Sequence, residues 1–421
     1  MNFYITSLYF AIPIFVFLIL FESIMAKRKG IKINRSTDMI SSLSSGMTNI
    51  IRDAIKFSIV IISYSWMVDR FTIIKLEPLW LSIIIAFIVE DFSGYWMHRL
   101  NHRVNILWNR HVIHHSSEEF NLSCALRQSI SDTIRFSAIF MFPAAFLGIP
   151  TAIFAILSPL HLLLQFWYHT QVIDKLGFLE KILVTPFHHR VHHAINPEYI
   201  DKNYSQIFIV WDKIFGTFQP ELKNIKPVYG VLKPFNTWNP VIINFNHLWH
   251  LVRDAWRTKS WFDKLRIWFM PTGWRPDDVK EKFPVQEILN PTKQLKYNTK
   301  NSNWMFAFSW AQLFITHILL FHLLIVFSSH SNTMNYLYAV VLLLSVFSFT
   351  SMLDNNNYAF IAEFIKATLF FVLLFMQNLT WYGLQGIFVY VLITYIICSL
   401  LLTYYLQNNE KNNRLVKPNP V

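Results

Sequence analysis

Nine apolar runs punctuate this chain, and they limit its fold more than any other feature. A stretch of about 18 or more apolar residues in hydrocarbon must satisfy every backbone hydrogen bond internally, which leaves the helix as the only single-segment solution. The first run, Phe3 to Phe21, ends in Glu22 and the basic cluster Lys27, Arg28, Lys29, Lys32 and Arg35. Cations that follow an apolar stretch, instead of preceding it, read as a retained anchor with its amino end outside and the cluster in the cytoplasm. Further runs are expected at Ile50 to Met67, Leu79 to Val89, Ile134 to Ile149 and Thr151 to Trp167. Four more lie at Met305 to Phe327, Tyr336 to Met352, Phe360 to Met376 and Trp381 to Tyr405. Of these, Ile50 to Met67 is the weakest, since Arg52, Asp53 and Lys56 sit at its start.

An all-α, polytopic integral membrane protein of about nine spans is therefore expected, with a catalytic membrane region over 1–300 and a four-helix region over 301–421. Composition agrees: 53% of the residues are hydrophobic and only 15% charged, which excludes an ordinary soluble domain. The net charge of +12 lies in loops between apolar runs, so it fits the positive-inside rule and anionic headgroups, and no nucleic-acid partner is expected. Nine spans place the basic tail with Lys411, Arg414 and Lys417 in the cytoplasm. The loops SSHSNTMN and QNLTWYG lack Lys and Arg, as external loops should. Within the cytoplasmic part, about 170–303, Trp238, Trp249, Trp256, Trp261, Trp268 and Trp274 alternate with basic residues. This pattern suggests helices lying in the membrane interface; a soluble subdomain with an aromatic core is the alternative. Cys124 and Cys398 are too few for a disulfide framework.

The chemistry is concentrated at the ends of these runs. Asp91 to His115 reads DFSGYWMHRLNHRVNILWNRHVIHH and carries His98, His102, His111, His114 and His115; the later stretch HHRVHH carries His188, His189, His192 and His193. Residues three and four apart share a helical face, so each box aims two or three imidazoles at one point. Convergent neutral imidazoles suit iron, zinc or copper. The run ending at Trp167 adds His161, Gln165 and His169 at intervals of four, with His161 deeper in the run and His169 at its end. A closed structural zinc site requires only four ligands. A metal transporter would place ligands at mid-span, where the last four runs offer only His317 and His322.

The spacing His98-x-x-x-His102, His111-x-x-His114-His115 and His189-x-x-His192-His193 resembles the three boxes of the fatty acid hydroxylase and sterol desaturase superfamily of membrane di-iron oxygenases. The stretches WNRHVIHHSSEEFNLSCALRQS, QFWYHTQVI and TPFHHRVHHAINPEYIDKNYSQIFIVWDKIFGTF are similar, more narrowly, to its ether-lipid-cleaving, tetrahydrobiopterin-dependent branch. The resemblance implies two iron ions bound by His98, His102, His111, His114, His115, His189, His192 and His193, with His169 as a ninth ligand. Some relatives carry a further histidine where this chain has Gln165, which could orient His169. His188 could compete with His189, although the box register favours His189. It further implies a lipid substrate, dioxygen and an electron donor, tetrahydrobiopterin or another reductant. The product would be a fatty aldehyde and a glycerol derivative. Hydroxylation or desaturation of a sterol, fatty acid or carotenoid is the alternative, and a non-catalytic metal-binding membrane protein is the second.

Around the ligands, Asp91 lies seven residues before His98, where it could accept that imidazole's other N–H or stand as an interfacial carboxylate at a helix end. Glu118 and Glu119 follow the second box, where they could meet a pterin or a third-box helix, although solvated loop residues are the expected reading. Asp212 belongs to the same family-like stretch as Asn203, Tyr204 and Trp211, for which packing under the site is expected.

Overall fold

A computed structural model describes residues 3–415, with side chains for Leu8 and from Phe10 to Glu410; of the basic tail, the side chains of Lys411 and Arg414 and the whole of Lys417 lie outside what is described. Among the described residues the regular elements are helices, apart from a two-residue parallel pair, Ile59–Val60 with Ile134–Arg135, and four isolated bridges. In chain order the helices that position the site are α1 (Phe3–Arg28), α2 (Ser36–Ala54), α3 (Tyr64–Phe71), α4 (Leu79–Arg103), α5 (Val112–His115), α6 (Thr151–Phe166) and α7 (Pro186–His192). They are followed by α8 (Pro240–Arg257), α9 (Trp261–Arg266) and the bundle α10 (Asn303–Val326), α11 (Asn332–Leu353), α12 (Tyr358–Met376) and α13 (Ile387–Leu415).

Six helices among the described residues are long and apolar enough to cross a bilayer: α1, α4 and the four of the bundle. The nine complete spans expected from the runs are not found, for physical reasons that differ at each site. Ile50 to Met67 is not one helix. α2 ends at Ala54, Lys56 takes a left-handed φ of 53°, and the chain runs extended before α3. The charges at its start are taken up by partners, Arg52 by Asp53 and the distant Ser129 carbonyl, and Asp53 also by Arg135 at 2.8 Å. Ile134 to Ile149 is divided between the strand pair, a 3-10 turn and the five-residue helix Phe142–Phe146. The 16-residue α6 is roughly 24 Å long at 1.5 Å per residue, short of a full hydrocarbon core. These pieces form hairpins that turn back together: Ile73 and Leu76 donate to the carbonyls of Phe146 and Leu147. Gly148 sits where they meet, at φ +61°, and a Cβ there would lie 2.5 Å from the Ile74 carbonyl oxygen.

α2 is too polar for a span, yet Ser41, Ser42, Ser44, Ser45 and Thr48 are all buried. Their small side chains let it pack closely against α10 and α11, and Ile40, Met47 and Ile51 join the core of the bundle. Inside that bundle lies a buried ion pair, Glu363 with Lys366 at 2.5 Å. Ser399 donates to Glu363 while receiving bonds from Gln312 at 2.8 Å and Lys366 at 3.3 Å, so the pair is ringed by hydrogen-bonding groups. A second apolar core joins α3, α4 and α6, and a third sets Ile19 of α1 against Leu122 and Phe166.

Candidate metal centre

Four elements deliver the imidazoles to one place. α4 presents His98 and His102 on one face at its carboxyl end, where its own backbone carbonyls are free of intrahelical partners. α5 is a single turn carrying His114 and His115, with His111 at its N-cap. His169 stands three residues beyond the end of α6. α7 begins at Thr185-Pro186, a favourable helix start, and brings His189 and His192, with His193 at its C-cap.

The nine imidazoles divide into two nests. His98, His102, His111, His115 and His192 form one, and His114, His169, His189 and His193 the other; within each, the ligand atoms lie within 4.8 Å of one another. All are buried except His111, which is partly so. The nests abut, since the rings of His115 and His193 stack with centroids 4.3 Å apart. His188, one residue from the ligand register, is turned away: it completes a capping box with Thr185 at the start of α7.

Backbone carbonyls set the tautomers. The Nδ1–H of His98 donates to the Tyr204 carbonyl at 2.7 Å, that of His192 to Lys202 at 2.9 Å, that of His114 to Arg127 at 3.2 Å and that of His169 to Gln165 at 3.0 Å. A carbonyl only accepts, so in each neutral ring the proton is on Nδ1 and the Nε2 lone pair points into the nest. His114 and His169 thereby face each other lone pair to lone pair across 3.2 Å. Burial lowers the pKa of His114 to about 3 and holds His169, His189 and His193 well below the ordinary imidazole value, so a proton does not relieve the contact. Nε2 of His102 and of His192 also has no hydrogen-bond partner in the structure. Buried acceptors aimed at one another without a donor are costly unless a cation lies between them. The donor set therefore fits a metal ion in each nest, and all-nitrogen ligation suits iron, zinc or copper.

The carbonyls are themselves held. Asp212, fully buried, accepts from the Tyr204 and Ser205 N–H groups, each at 2.8 Å, and from the Thr217 hydroxyl at 2.6 Å. Asp91 does not meet His98. Its carboxylate accepts from the N–H of Ile207 at 2.8 Å, the N–H of Phe208 at 3.0 Å and Nε1–H of Trp211 at 2.8 Å, and it bonds His161 Nε2 at 3.0 Å. The far nitrogen of His98 is taken by the Tyr204 carbonyl, and Asp91 instead fastens residues 207–211 to α4. His161 thus has a carboxylate partner outside both nests. Gln165 bonds His161 Nδ1 at 2.9 Å through its side chain and orients His169 only through its backbone carbonyl. Tyr204 packs its ring against His102 and His98, with centroids 5.2 and 5.9 Å away.

One feature has no counterpart in the sequence pattern, and a second departs from the expectation. Arg127 and Asp38, an ion pair at 2.9 Å with both side chains about 2% exposed, anchor the carbonyl that orients His114 to α2. Arg and Asp 89 positions apart carry no local pattern that would pair them. Glu118 and Glu119 are buried instead of solvated: Glu118 accepts from the Tyr297 N–H at 2.8 Å and Gln294 at 3.1 Å, and Glu119 pairs with Lys296 at 2.8 Å. They strap the segment before α10 to the second box. Burial raises both carboxyls above their usual range. His317 and His322 bond to Leu313 and Tyr338 within the bundle and belong to neither nest.

The histidine-bearing part of the chain, residues 83–217, matches the family model for fatty acid hydroxylase. Alkylglycerol monooxygenase from Homo sapiens is 36% identical over 369 residues, covering 86% of this chain and 81% of that protein. The chain belongs to the alkylglycerol monooxygenase family. The Xenopus tropicalis member is 35% identical over 82% of this chain and 76% of its own length. An ornithine lipid hydroxylase from Rhizobium tropici is 28% identical over 141 residues, 34% of this chain and 43% of that protein. No solved structure matches the chain.

Proposed function

We propose that this protein is a membrane di-iron monooxygenase that cleaves the ether bond of an alkylglycerol. Membership of the alkylglycerol monooxygenase family supports the activity, and the paired nests are the observation that carries its chemistry. In this reading His98, His102, His111, His115 and His192 hold one ion, and His114, His169, His189 and His193 the other. Bound iron supplies the activation of dioxygen. The chain's own groups do the rest. The carbonyls of Lys202, Arg127, Tyr204 and Gln165 fix the tautomer of four imidazoles and aim them, while burial keeps the rings neutral and excludes water from around them. In the balanced reaction a reductant gives two electrons and two protons, one oxygen atom leaves as water, and the other enters the C–H bond beside the ether oxygen. The hemiacetal then collapses to a fatty aldehyde and a glycerol derivative. Reduced tetrahydrobiopterin is the proposed electron donor.

Sidedness follows the same reading. Glu22, near the basic end of α1, accepts from the Leu122 N–H at 2.8 Å, and Glu410 of α13 from the Ser302 N–H at 2.9 Å, so both ends lie on the side of the histidines. We place that side in the cytoplasm and the amino end of α1 outside. Because the carboxyl ends of α1 and α4 both lie on the histidine side, the segment between them returns the chain to the far side, and the four spans of the bundle then bring the end of α13 back to the histidine side. The test is aldehyde release from alkylglycerol by membranes containing the protein, with and without tetrahydropterin. Turnover of another lipid with no ether cleavage would replace the substrate assignment, and the ornithine lipid hydroxylase relative makes a polar membrane lipid the first alternative to assay.

A further inference from the structure

α8 and α9 carry an apolar surface that no part of the chain covers. On α8, Phe245, Trp249, Val252 and Trp256 recur at helical spacing and are 43, 60, 41 and 85% exposed. Asn244, Leu251 and Asp254 on the same helix are buried. At 3.6 residues per turn the two stripes face about 150° apart, so the exposed one is a second apolar face and not the rim of the core. α9 continues it with Trp261, Phe262 and Leu265, 78, 67 and 70% exposed. A cluster of large aromatics of this size is abnormal on a water-facing surface.

The fold fixes where this surface lies. α8 begins beside the end of α11, where Asn239 bonds Ser351 at 2.8 Å and Asp354 accepts from the Trp238 N–H at 2.8 Å. It then reaches the end of α4, where His247 Nε2 meets the Asn105 carbonyl at 2.8 Å and the Leu248 N–H donates to Asn109 at 2.8 Å. A helix of roughly 27 Å joining the site-side ends of two spans runs along the membrane plane. α9 is held at the same level: buried Asn105 donates to the carbonyls of Ile267 and Trp274, each at 3.0 Å, and accepts from the Gly273 N–H at 2.9 Å. Bidentate pairing of Arg275 with Asp254 makes the scaffold rigid. From residue 249 to 269 the chain carries five Lys or Arg against two Asp, and one of those, Asp254, is already neutralised by Arg275. Arg266 and Lys264 lie over the rings of Phe262 and Trp261, at 4.8 and 5.6 Å.

We propose that α8 and α9 form a preformed platform that inserts its aromatic stripe into the headgroup layer of the same bilayer, with anionic lipid headgroups as the partner of its cations. Because Asn105 lies between the first and second histidine boxes, docking of the platform sets the nests at headgroup depth. The inference rests on the membrane reading of α4 and the bundle and not on the substrate. The full-length protein in lipid nanodiscs, with the exposed Cys398 replaced (Cys398→Ser) and a nitroxide at Val252→Cys or Leu265→Cys, tests it by comparing relaxation by oxygen with relaxation by an aqueous nickel complex. Both labels should favour oxygen, and the Leu265→Cys label should move less in discs containing one-third phosphatidylglycerol than in phosphatidylcholine alone. Labels relaxed chiefly by nickel would overturn the insertion, and identical mobility in the two lipids would overturn the anionic partner. A loss of thermal stability in either labelled variant is controlled by the neighbouring label, since both residues are exposed. No turnover is read, so failure here leaves the monooxygenase reading standing, and the converse also holds.

Discussion

Asp212 stands two bonds away from the nest of five histidines, and its removal should unload that nest selectively. In Asp212→Ala the N–H groups of Tyr204 and Ser205 and the Thr217 hydroxyl lose a fully buried acceptor. Two orphaned backbone donors at about 1–3 kcal/mol each give an upper bound near 6 kcal/mol, which the loop lowers by moving until water or another acceptor reaches them. The movement shifts the carbonyls of Tyr204 and Lys202 that orient His98 and His192, both in the five-histidine nest. Loss of such a partner typically weakens a metal site by 10–100-fold, about 1.4–2.7 kcal/mol. The orienting carbonyls of the four-histidine nest, from Arg127 and Gln165, belong to other segments and stay in place. On the proposed di-iron reading, purified Asp212→Ala, dialysed against a chelator of graded strength, should therefore lose one iron before the other, leaving a long plateau near one iron per chain and one Mössbauer doublet. Parallel loss of both irons, or retention of both with only a lowered melting temperature, would refute the argument.

The other predictions read separate parts of the molecule. His188→Ala should keep the full iron content, because that ring caps α7, whereas His189→Ala should lower it; metal analysis of the two side by side decides. Gly148→Ala should destabilise by about 1–3 kcal/mol in detergent unfolding, since the residue has φ +61° and its new methyl group would meet the Ile74 carbonyl. Lys366→Met, which strands Glu363 in the bundle, should cost about 3–5 kcal/mol, and the double variant Glu363→Gln with Lys366→Met should cost less. Desolvation raises the Asp354 carboxyl to about 6, so the folded protein binds a proton that the unfolded chain releases above its ordinary value. Stability then falls as pH rises from about 4 to about 6, and the margin of the native protein over Asp354→Asn should narrow across that window in pH-dependent melts.

The histidines were legible in the sequence because metal ligation is written at short range. His98-x-x-x-His102 and the two H-x-x-H-H boxes announce shared faces before any fold is known, and His169 was reachable from its four-residue spacing to Gln165. Spans α1, α4 and α10 to α13 were legible for the same reason, since hydropathy is local. The failures occurred where a long-range partner overrides the local signal. Ile50 to Met67 looked like a span with awkward charges, and it is those charges, bonded to Ser129 and Arg135 some 80 residues away, that end the helix. Asp91 was placed on His98 by helical spacing, but the carboxylate is claimed by the N–H groups of Ile207 and Phe208, which no periodicity connects to it. Glu118 and Glu119 looked solvated because the partners that bury them, Tyr297 and Lys296, arrive from the far side of the interfacial region.

The orienting acceptors show why this limit is general for such a site. Four of the nine candidate ligands, His192, His98, His114 and His169, have their far nitrogen held by a backbone carbonyl, from Lys202, Tyr204, Arg127 and Gln165, and a carbonyl is present at every position whatever the side chain. Side-chain identity therefore enters one step further out, in the groups that fix those carbonyls: Asp212 for Tyr204, and the Asp38–Arg127 pair for Arg127 itself. It follows that substitutions with the largest effect on metal loading outside the histidines should fall on Asp212, Asp38 and Arg127, none of which lies within a histidine box. Asp38 sits on α2, which also packs against α10 and α11, so the polar serine-rich helix is the element through which the bundle supports the second box. That gives the last four spans a mechanical role: they hold α2, α2 holds Arg127, and the Arg127 carbonyl fixes the His114 tautomer so that its Nε2 points into the nest.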